Sequence, residues 1–363
     1  MPRETQMDDM RKTASPTLSR RRLIEVTGAA AAALPLYGAK PARAEIGGDL
    51  TIANWGGDWN DRCVQVFEAP IIEKKGIKLV HDLQPVPERK AKLLAEQHLP
   101  RGTIDVVHLS DADAFEMNER GVIEPLDLSR LPNYQNIRSN LRLPYLVTWI
   151  FGGIVMMYNP NKIAEPPTSF ADLWNPKYAG RVGLMDQLYF NYIYAASLTN
   201  GGTMGDVQKA FPALLDLKKA VQPRLYASHQ TLAAGFANEE VWISAEYSAR
   251  IIQWIKEGLP VQWSYPKEGA VVVSFGASLP KRGKNRDTAY FYLNEMLSPQ
   301  VTAGIAEATS YAPGTTNSAL STDLRARLDF TPEQAAKMNF ADYAYAAKND
   351  SSWVDWWNKN MKG

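Results

Sequence analysis

The chain has 363 residues, with 40 Lys and Arg against 39 Asp and Glu, a formal net charge of +1 and a single cysteine. The near-neutral charge argues against nucleic-acid binding, which needs a basic face, and one cysteine cannot form an internal disulfide. The sequence contains no nucleophile elbow, phosphate-binding loop or metal-spaced histidine pair, so it indicates no enzyme, no cofactor and no metal site.

The first 44 residues have the pattern of an export signal. Residues 19–24 contain three consecutive arginines, an apolar stretch follows at 29–37, and residues 42–44 have the small-x-small form of a cleavage site. The apolar stretch is too short to cross about 30 Å of hydrocarbon, which favours a twin-arginine signal over an N-terminal membrane helix. We therefore expect a soluble, periplasmic mature chain that starts near Glu45.

The remaining residues predict an α/β fold in two lobes. Without the signal's eight basic and four acidic residues, 32 and 35 remain, a net charge near −3. About 319 residues exceed one comfortable core, and short apolar runs alternate with helical patterns. The predicted strands are 48–55, 76–83, 103–109, 143–159, 181–185, 225–229, 240–247 and 270–275; the predicted helices are 64–73, 88–98, 202–222, 248–258, 286–298 and 353–360.

Two loops that follow predicted strands carry candidate ligand-binding side chains. Trp55, Asp58 and Trp59 follow the first strand, and Asp111 and Asp113 follow the third. Ligands of parallel α/β sheets meet the loops at the carboxyl ends of the strands. Packing within the lobe is the alternative for the tryptophans, and capping of the next helix is the alternative for one of the aspartates.

Three later stretches have a clear physical design. Residues 143–159 are apolar and contain Gly152 and Gly153, which allow a bend or a close approach of backbone. In TSFADLWNPKYAG, residues 168–180, Ser169 caps a short helix that Pro176 ends. In PKEGAVVVSFGASLPKRG, residues 266–283, turn residues bound a short valine-rich run that predicts a buried strand.

These stretches resemble bacterial periplasmic solute-binding proteins of ABC importers. The branch is that of the spermidine/putrescine binders, related to the iron and thiamine binders. Residues 168–180 and 266–283 are the specific signals, GVIEPLDLS at 121–129 matches a recurring turn, and the resemblance covers nearly all of the mature chain. It implies a type II fold, in which two lobes, each a mixed, mostly parallel sheet flanked by helices, enclose a ligand cleft.

The resemblance also implies an organisation and a partner. Residues 45–153 and 274–318 form lobe 1, and residues 154–273 and 319–363 form lobe 2. A small-molecule ligand closes the lobes by hinge motion, and the protein, a monomer, delivers it to an inner-membrane ABC permease. The aromatic residues 353–360 predict an amphipathic helix that packs on lobe 2.

Further cleft residues follow from the resemblance. Asp186 stands at a strand end where polyamine binders carry acids, and Tyr189 lies in the helix that follows. Trp242 aligns with a pocket tryptophan of that branch. Glu246 and Tyr247 lie at the end of the same strand, where Glu246 either meets an ammonium group or caps the next helix.

The expected ligand is a small cationic or amine-bearing solute, polyamine-like, such as putrescine or spermidine. Gln187, Phe190 and Phe275 stand where acids are expected, so amino-acid derivatives such as opines, thiamine-like or phosphonate compounds, ferric iron and a chemosensory role remain alternatives. Tyr311 belongs to a loop whose tyrosine lines the cleft in relatives. The candidate ligand-binding residues are Trp55, Asp58, Trp59, Asp111, Asp113, Asp186, Tyr189, Trp242, Glu246, Tyr247, Phe275 and Tyr311.

Overall fold

The computed structural model describes residues 46–362. The predicted export signal lies outside these residues. The described strands are β1 (Gly48–Asn54), β2 (Ile77–Leu83), β3 (Val106–Ser110), β4 (Val147–Tyr158), β5 (Gly183–Met185), β6 (Arg224–Tyr226), β7 (Ile243–Tyr247), β8 (Gln262–Ser264), β9 (Val271–Ser278) and β10 (Ala312–Pro313).

Helices separate most of these strands. They are α1 (Asp58–Cys63), α2 (Val86–Glu96), α3 (Asp111–Glu119), α4 (Tyr189–Thr199), α5 (Ala210–Val221), α6 (His229–Ala237), α7 (Ser248–Lys256), α8 (Arg286–Met296), α9 (Pro299–Thr309), α10 (Thr322–Leu328), α11 (Pro332–Ala336) and α12 (Tyr343–Trp357). The π-helical segments Val64–Ile72 and Asn358–Lys362 continue α1 and α12. The predicted α/β fold is confirmed. In the described part of the chain, no helix has the length and apolarity needed to cross a membrane.

The main sheet has the strand order β10-β4-β9-β3-β1-β2, and β7 and β8 also pair with β4. β1 runs parallel to β2 and β3, whereas β9 is antiparallel to β3 and β4. A bridge between Val182 and Ile243 leads to the small parallel pair of β5 and β6. The carboxyl ends of β1, β2 and β3 therefore lie at one edge, where loops are free to meet a ligand.

Strand β4 joins the part of the sheet that contains β9 to the part that contains β7. All twelve of its residues are buried. Val147 to Ile154 pair with β9, and Ile154 to Tyr158 pair with β7. At Gly153 an added Cβ would lie 2.7 Å from the Ala270 Cβ, so glycine is needed where β4 and β9 pack. Residues 147–158 of the predicted run 143–159 therefore form a buried strand that pairs with both β9 and β7.

Local signals predicted several elements well. Ser169 forms a capping box with Asp172 at the start of the short helix Phe170–Trp174, as predicted. The helix predicted over 202–222 is wrong in its first half, because Ser197 Oγ bonds the carbonyls of Thr203 and Asp206 and holds 200–209 as a loop. The helix predicted at 353–360 begins ten residues earlier, at Tyr343.

Candidate functional site

An aromatic cluster lies at the carboxyl edge of the first strands. We use the name for Trp55, Trp59, Phe275 and Tyr311. The Trp55 ring meets the rings of Trp59 and Phe275 edge-on, with centroids 5.8 Å apart in both pairs, and Phe275 meets Tyr311 at 5.6 Å. All four side chains are only partly buried. Four of the predicted ligand-binding residues are thus brought together from three separate parts of the chain.

Asn54 positions both tryptophans. It is the last residue of β1 and is fully buried. Its Oδ1 accepts hydrogen bonds from the Trp55 amide and from Trp59 Nε1, each at 2.9 Å. One buried acceptor therefore fixes the start of the loop and the orientation of the Trp59 ring. Sequence reasoning singled out the tryptophans and missed this residue, although the adjacent Asn-Trp pair was the available signal.

Glu246 and Tyr247 lie where β7 meets the crossing strand. Glu246 is fully buried, accepts from the Tyr247 amide at 2.7 Å and is hydrogen-bonded to His229 Nδ1 at 2.8 Å. Burial raises the pKa of Tyr247, and the charges of Tyr311, Glu246 and Asp111 raise it further. Tyr247 thus lies near both carboxylates and next to the aromatic cluster. The sequence had not singled out His229, which contacts Glu246 and Tyr247.

Asp111 is a buried carboxylate that has no positively charged partner in the described part of the chain. It is 5% exposed and accepts hydrogen bonds from the Ser274 amide at 2.9 Å, the Ser274 hydroxyl at 2.8 Å and the Ala112 amide at 2.8 Å. Within residues 46–362, no Lys, Arg or His lies within ion-pair distance of it. Burial raises the pKa of Asp111, opposed by these hydrogen bonds and by one from the Tyr343 hydroxyl at the start of α12. A cation that reached this carboxylate would be stabilised by it.

Two other predicted acids are engaged with cations of the chain. Asp58 is exposed and pairs with Arg62 at 3.1 Å. Asp113 pairs with Lys90 at 3.1 Å and accepts from the Ser110 hydroxyl at 2.6 Å. The cap of α3 is Ser110, whose side chain accepts from the Asp113 amide, so neither predicted aspartate is the capping residue.

Asp186 and Tyr189 lie at a different location. We use the name Asp186 corner for Asp186, Tyr189, Trp357 and Lys362. Asp186 accepts from Trp357 Nε1 at 2.9 Å and pairs with Lys362 Nζ at 2.6 Å. The Tyr189 hydroxyl bonds the Asp350 carboxylate. The polar groups of both predicted residues are thus bound by side chains from residues 350–362. The structure does not bring Asp186 or Tyr189 into contact with the aromatic cluster.

Trp242 is also separated from the cluster. Left-handed backbone at Glu239 (φ 57°) and a bond from the Trp242 amide to the Arg181 carbonyl delay the start of β7 to Ile243. Trp242 stacks against Arg181 at 4.9 Å. Strands rise about 3.3 Å per residue, which places Trp242 about 16 Å along the strand from Tyr247. The structure therefore gives no support to its predicted pocket role.

A small pocket of about 60 Å³ opens beside the cluster. Two cationic side chains, Arg62 and Arg250, face this pocket. Tyr311 lies in its wall, where burial raises the pKa of the hydroxyl to about 12 and the charge of Arg250 opposes the rise. The pocket is lined by Asp58, Trp59, Arg62, Arg250, Gln253, Thr309 and Tyr311. A larger cavity of about 430 Å³ lies near Pro280, beyond the end of β9, and none of the predicted site residues lines it.

Arg89 lies beneath the cluster and was not identified from the sequence. It is fully buried, and its guanidinium carbon is 4.1 Å from the centroid of the Trp55 ring. Burial lowers the pKa of Arg89 to about 10, so it is protonated at neutral pH. Across the described residues, no group of three or more His, Cys, Asp or Glu side chains is arranged to hold a metal. The arrangement is one of aromatic faces and isolated buried charges, suited to binding.

Comparison with known proteins gives the family. A family model for bacterial extracellular solute-binding proteins matches residues 64–332. The spermidine/putrescine-binding periplasmic protein of Escherichia coli K12 is 26% identical over 287 residues, 76% of this chain and 79% of the relative. The gamma-aminobutyric acid-binding protein of Pseudomonas aeruginosa is 25% identical over 278 residues, 73% and 76% of the two chains.

A solved structure shares the fold. The ABC transporter substrate-binding protein of Bradyrhizobium japonicum USDA 110 superposes with a TM-score of 0.74 at 24% identity, over 85% of this chain and 99% of that one. The fold is the type II periplasmic binding fold, and the relatives are solute-binding proteins of transport systems rather than enzymes. The chain belongs to the family of bacterial extracellular solute-binding proteins.

Proposed function

We propose that this protein captures a small amine-bearing solute at the aromatic cluster and delivers it to an inner-membrane ABC permease. It acts in the periplasm as a monomer, after export by the twin-arginine route that residues 19–44 predict. Residues 45–153 with 274–318, and residues 154–273 with 319–363, form the two lobes that close over the solute. Relatives that bind spermidine, putrescine and gamma-aminobutyric acid support an amine as the shared chemical group.

The observation that carries the proposal is the position of Asp111. Its carboxylate is buried and lacks a positively charged partner among the described residues. It is held by hydrogen bonds from Ala112, from Tyr343 and from Ser274, the neighbour of Phe275 in β9. A buried carboxylate is costly unless it is paired or fully hydrogen-bonded. An ammonium group of a ligand supplies the missing charge, and the rings of Phe275 and Tyr311 offer faces for its alkyl chain.

A matched pair of substitutions tests this assignment. Asp111→Asn removes the charge at the cluster, and Asp186→Asn makes the same change at the Asp186 corner. Isothermal titration of the purified variants with putrescine, spermidine and amino acids should show an affinity loss of about tenfold or more for Asp111→Asn and none for Asp186→Asn. Circular dichroism checks that both are folded. Equal affinity of folded Asp111→Asn and the unmodified protein would contradict the proposed site.

A further inference from the structure

Arg89 is a buried charge that the described residues leave unpaired. Its side chain has no exposed surface, and within residues 46–362 its Nε, Nη1 and Nη2 atoms have no hydrogen-bond partner. Buried guanidinium groups normally bind carboxylates or carbonyl oxygens, because an unpaired buried charge is strongly unfavourable. An anion bound here would therefore be stabilised by a group that is already in place.

The carboxylates nearest to Arg89 are engaged elsewhere. The charges of Asp113 and Asp82 act on the guanidinium. Asp113, however, pairs with Lys90 at 3.1 Å, and Asp82 pairs with Lys92 at 2.6 Å. Arg89 thus differs from Arg130, which also stacks on an aromatic ring, Tyr290 at 4.0 Å, but has Asp287 as its carboxylate partner.

The position of Arg89 directs this unpaired charge at the ligand site. Helix α2, which carries Arg89, begins just after β2 at the carboxyl edge of the sheet. The head group lies against the ring of Trp55, which is half-buried and belongs to the aromatic cluster. A cation on one face of an indole makes the ring a poorer partner for a second cation, because the two charges repel each other across it. The Trp55 end of the cluster therefore disfavours an ammonium group.

The carboxylates that the sequence predicted for the site also limit how many amines it can hold. Asp58, Asp113 and Asp186 are each paired with a lysine or arginine of the chain, and Glu246 is hydrogen-bonded to His229. Asp111 is left for one ammonium group. A diamine would bring a second positive charge toward Arg89, and among these predicted carboxylates of residues 46–362 none is left to receive it.

We propose that the solute carries a carboxylate as well as an amine, and that Arg89 binds this carboxylate when the Trp55 ring moves off the guanidinium. The ligand class is that of amino acids whose amine and carboxylate are separated by an alkyl chain. The inference rests on the proposed function, since it places the amine at Asp111. A planar guanidinium binds a carboxylate through two parallel hydrogen bonds, which gives orientation as well as affinity.

The test compares solutes that differ only in their end groups. The purified protein is titrated calorimetrically with putrescine, γ-aminobutyrate and butylamine, and with cadaverine, δ-aminovalerate and pentylamine on a skeleton longer by one carbon. We expect the amino acid of at least one set to bind about tenfold or more tightly than its diamine and its monoamine. Equal or tighter binding of the diamine would overturn the inference and leave the proposed function standing. Binding of none of the six would contradict the proposed amine ligand itself.

Substitution of Arg89 assigns the effect to this residue. Arg89→Met keeps an unbranched side chain and removes its charge, and Arg130→Met makes the same change at the paired arginine. Arg89→Met should lose the preference for the amino acid over the diamine, whereas Arg130→Met should keep it. An unchanged preference in folded Arg89→Met would overturn the inference. If that variant does not fold, Arg89→Lys tests the inference instead. Lysine keeps the positive charge but lacks the planar guanidinium, so amino-acid binding should weaken about tenfold and diamine binding should stay unchanged.

Discussion

The aromatic cluster and the Asp186 corner share a composition but differ in what covers them. Both lie where a strand ends, and both combine aromatic rings with an aspartate. At the cluster the rings stay partly exposed and two buried charges, Asp111 and Arg89, lack partners of opposite charge among the described residues. At the corner, the chain's own terminus supplies the indole and the ammonium group that bind Asp186. Residues of α12 and the segment after it thus bind the aspartate at the corner, whereas the rings of the cluster stay partly exposed.

The largest expected effect is on stability at the corner. Trp357→Ala removes a ring that is 1% exposed, stacks on Tyr192 at 5.9 Å and bonds Asp186. We expect a loss of about 3–5 kcal/mol in the free energy of unfolding, measured by urea denaturation, with ligand affinity unchanged at temperatures where the variant is folded. Trp55→Ala is the matched control and should show the reverse, weak binding with a smaller loss of stability. Weak binding by stable Trp357→Ala would place the corner in the ligand site.

The next effect is a pH dependence of stability that reports how well water is excluded from the interior near the cluster. Burial lowers the pKa of His108 from 6.5 to about 3. Between these values the unfolded chain binds a proton that the folded protein rejects, so stability falls as the pH drops from about 6.5 toward 3, by up to about 1.4 kcal/mol per pH unit.

Urea denaturation across this pH range measures the slope. His108→Gln removes the buried imidazole and should show a shallower fall than the unmodified protein. His98→Gln, at an exposed position, is the control and should run parallel to the unmodified protein. Parallel curves for His108→Gln as well would mean that His108 takes up its proton in the folded state.

A smaller effect is expected when a ring is removed from each region. Phe275→Ala removes the ring that contacts both Trp55 and Tyr311. The loss of these ring contacts costs about 0.5–1.5 kcal/mol each in stability beyond the buried area. The loss of the ring face that Phe275 offers to the solute should lower ligand affinity about tenfold. Phe190→Ala removes a half-buried ring that packs on Tyr189 at the corner, and it should bind normally. Titration calorimetry measures the ligand affinity of the two variants. An equal loss of affinity in both would contradict the distinction between the cluster and the corner.

The smallest effect concerns the rim of the cluster. Asp58 is 71% exposed, and its pair with Arg62 joins residues four apart on α1. Exposed pairs of this kind contribute about 0.3–0.5 kcal/mol. Asp58→Asn should therefore change the unfolding free energy by less than about 0.5 kcal/mol and leave ligand affinity unchanged. A loss of affinity would return Asp58 to the set of ligand-binding residues.

Much of the fold was predictable because its signals are local. The valine-rich run became β9, the apolar run with Gly152 and Gly153 became β4, and the capping box of Ser169 starts the predicted helix. Prediction failed at residues 202–209, where the decisive contacts come from Ser197, and at residues 240–242, where one left-handed residue delays the start of the predicted strand. Such contacts leave no periodic pattern in the sequence.

By itself, the sequence determined which strands end in aromatic and acidic loops, since alternation of apolar and helical patterns marks strand ends along the chain. It also determined the family resemblance, through motifs that are short and continuous. Only the tertiary structure decided how the charges are paired. Lys362 reaches Asp186 across 176 positions of sequence, and among residues 46–362 Arg89 meets the Trp55 ring but no carboxylate. Ion pairing depends on distances in space. These distances are set by the packing of elements that lie far apart in the sequence, so the order of residues does not predict them.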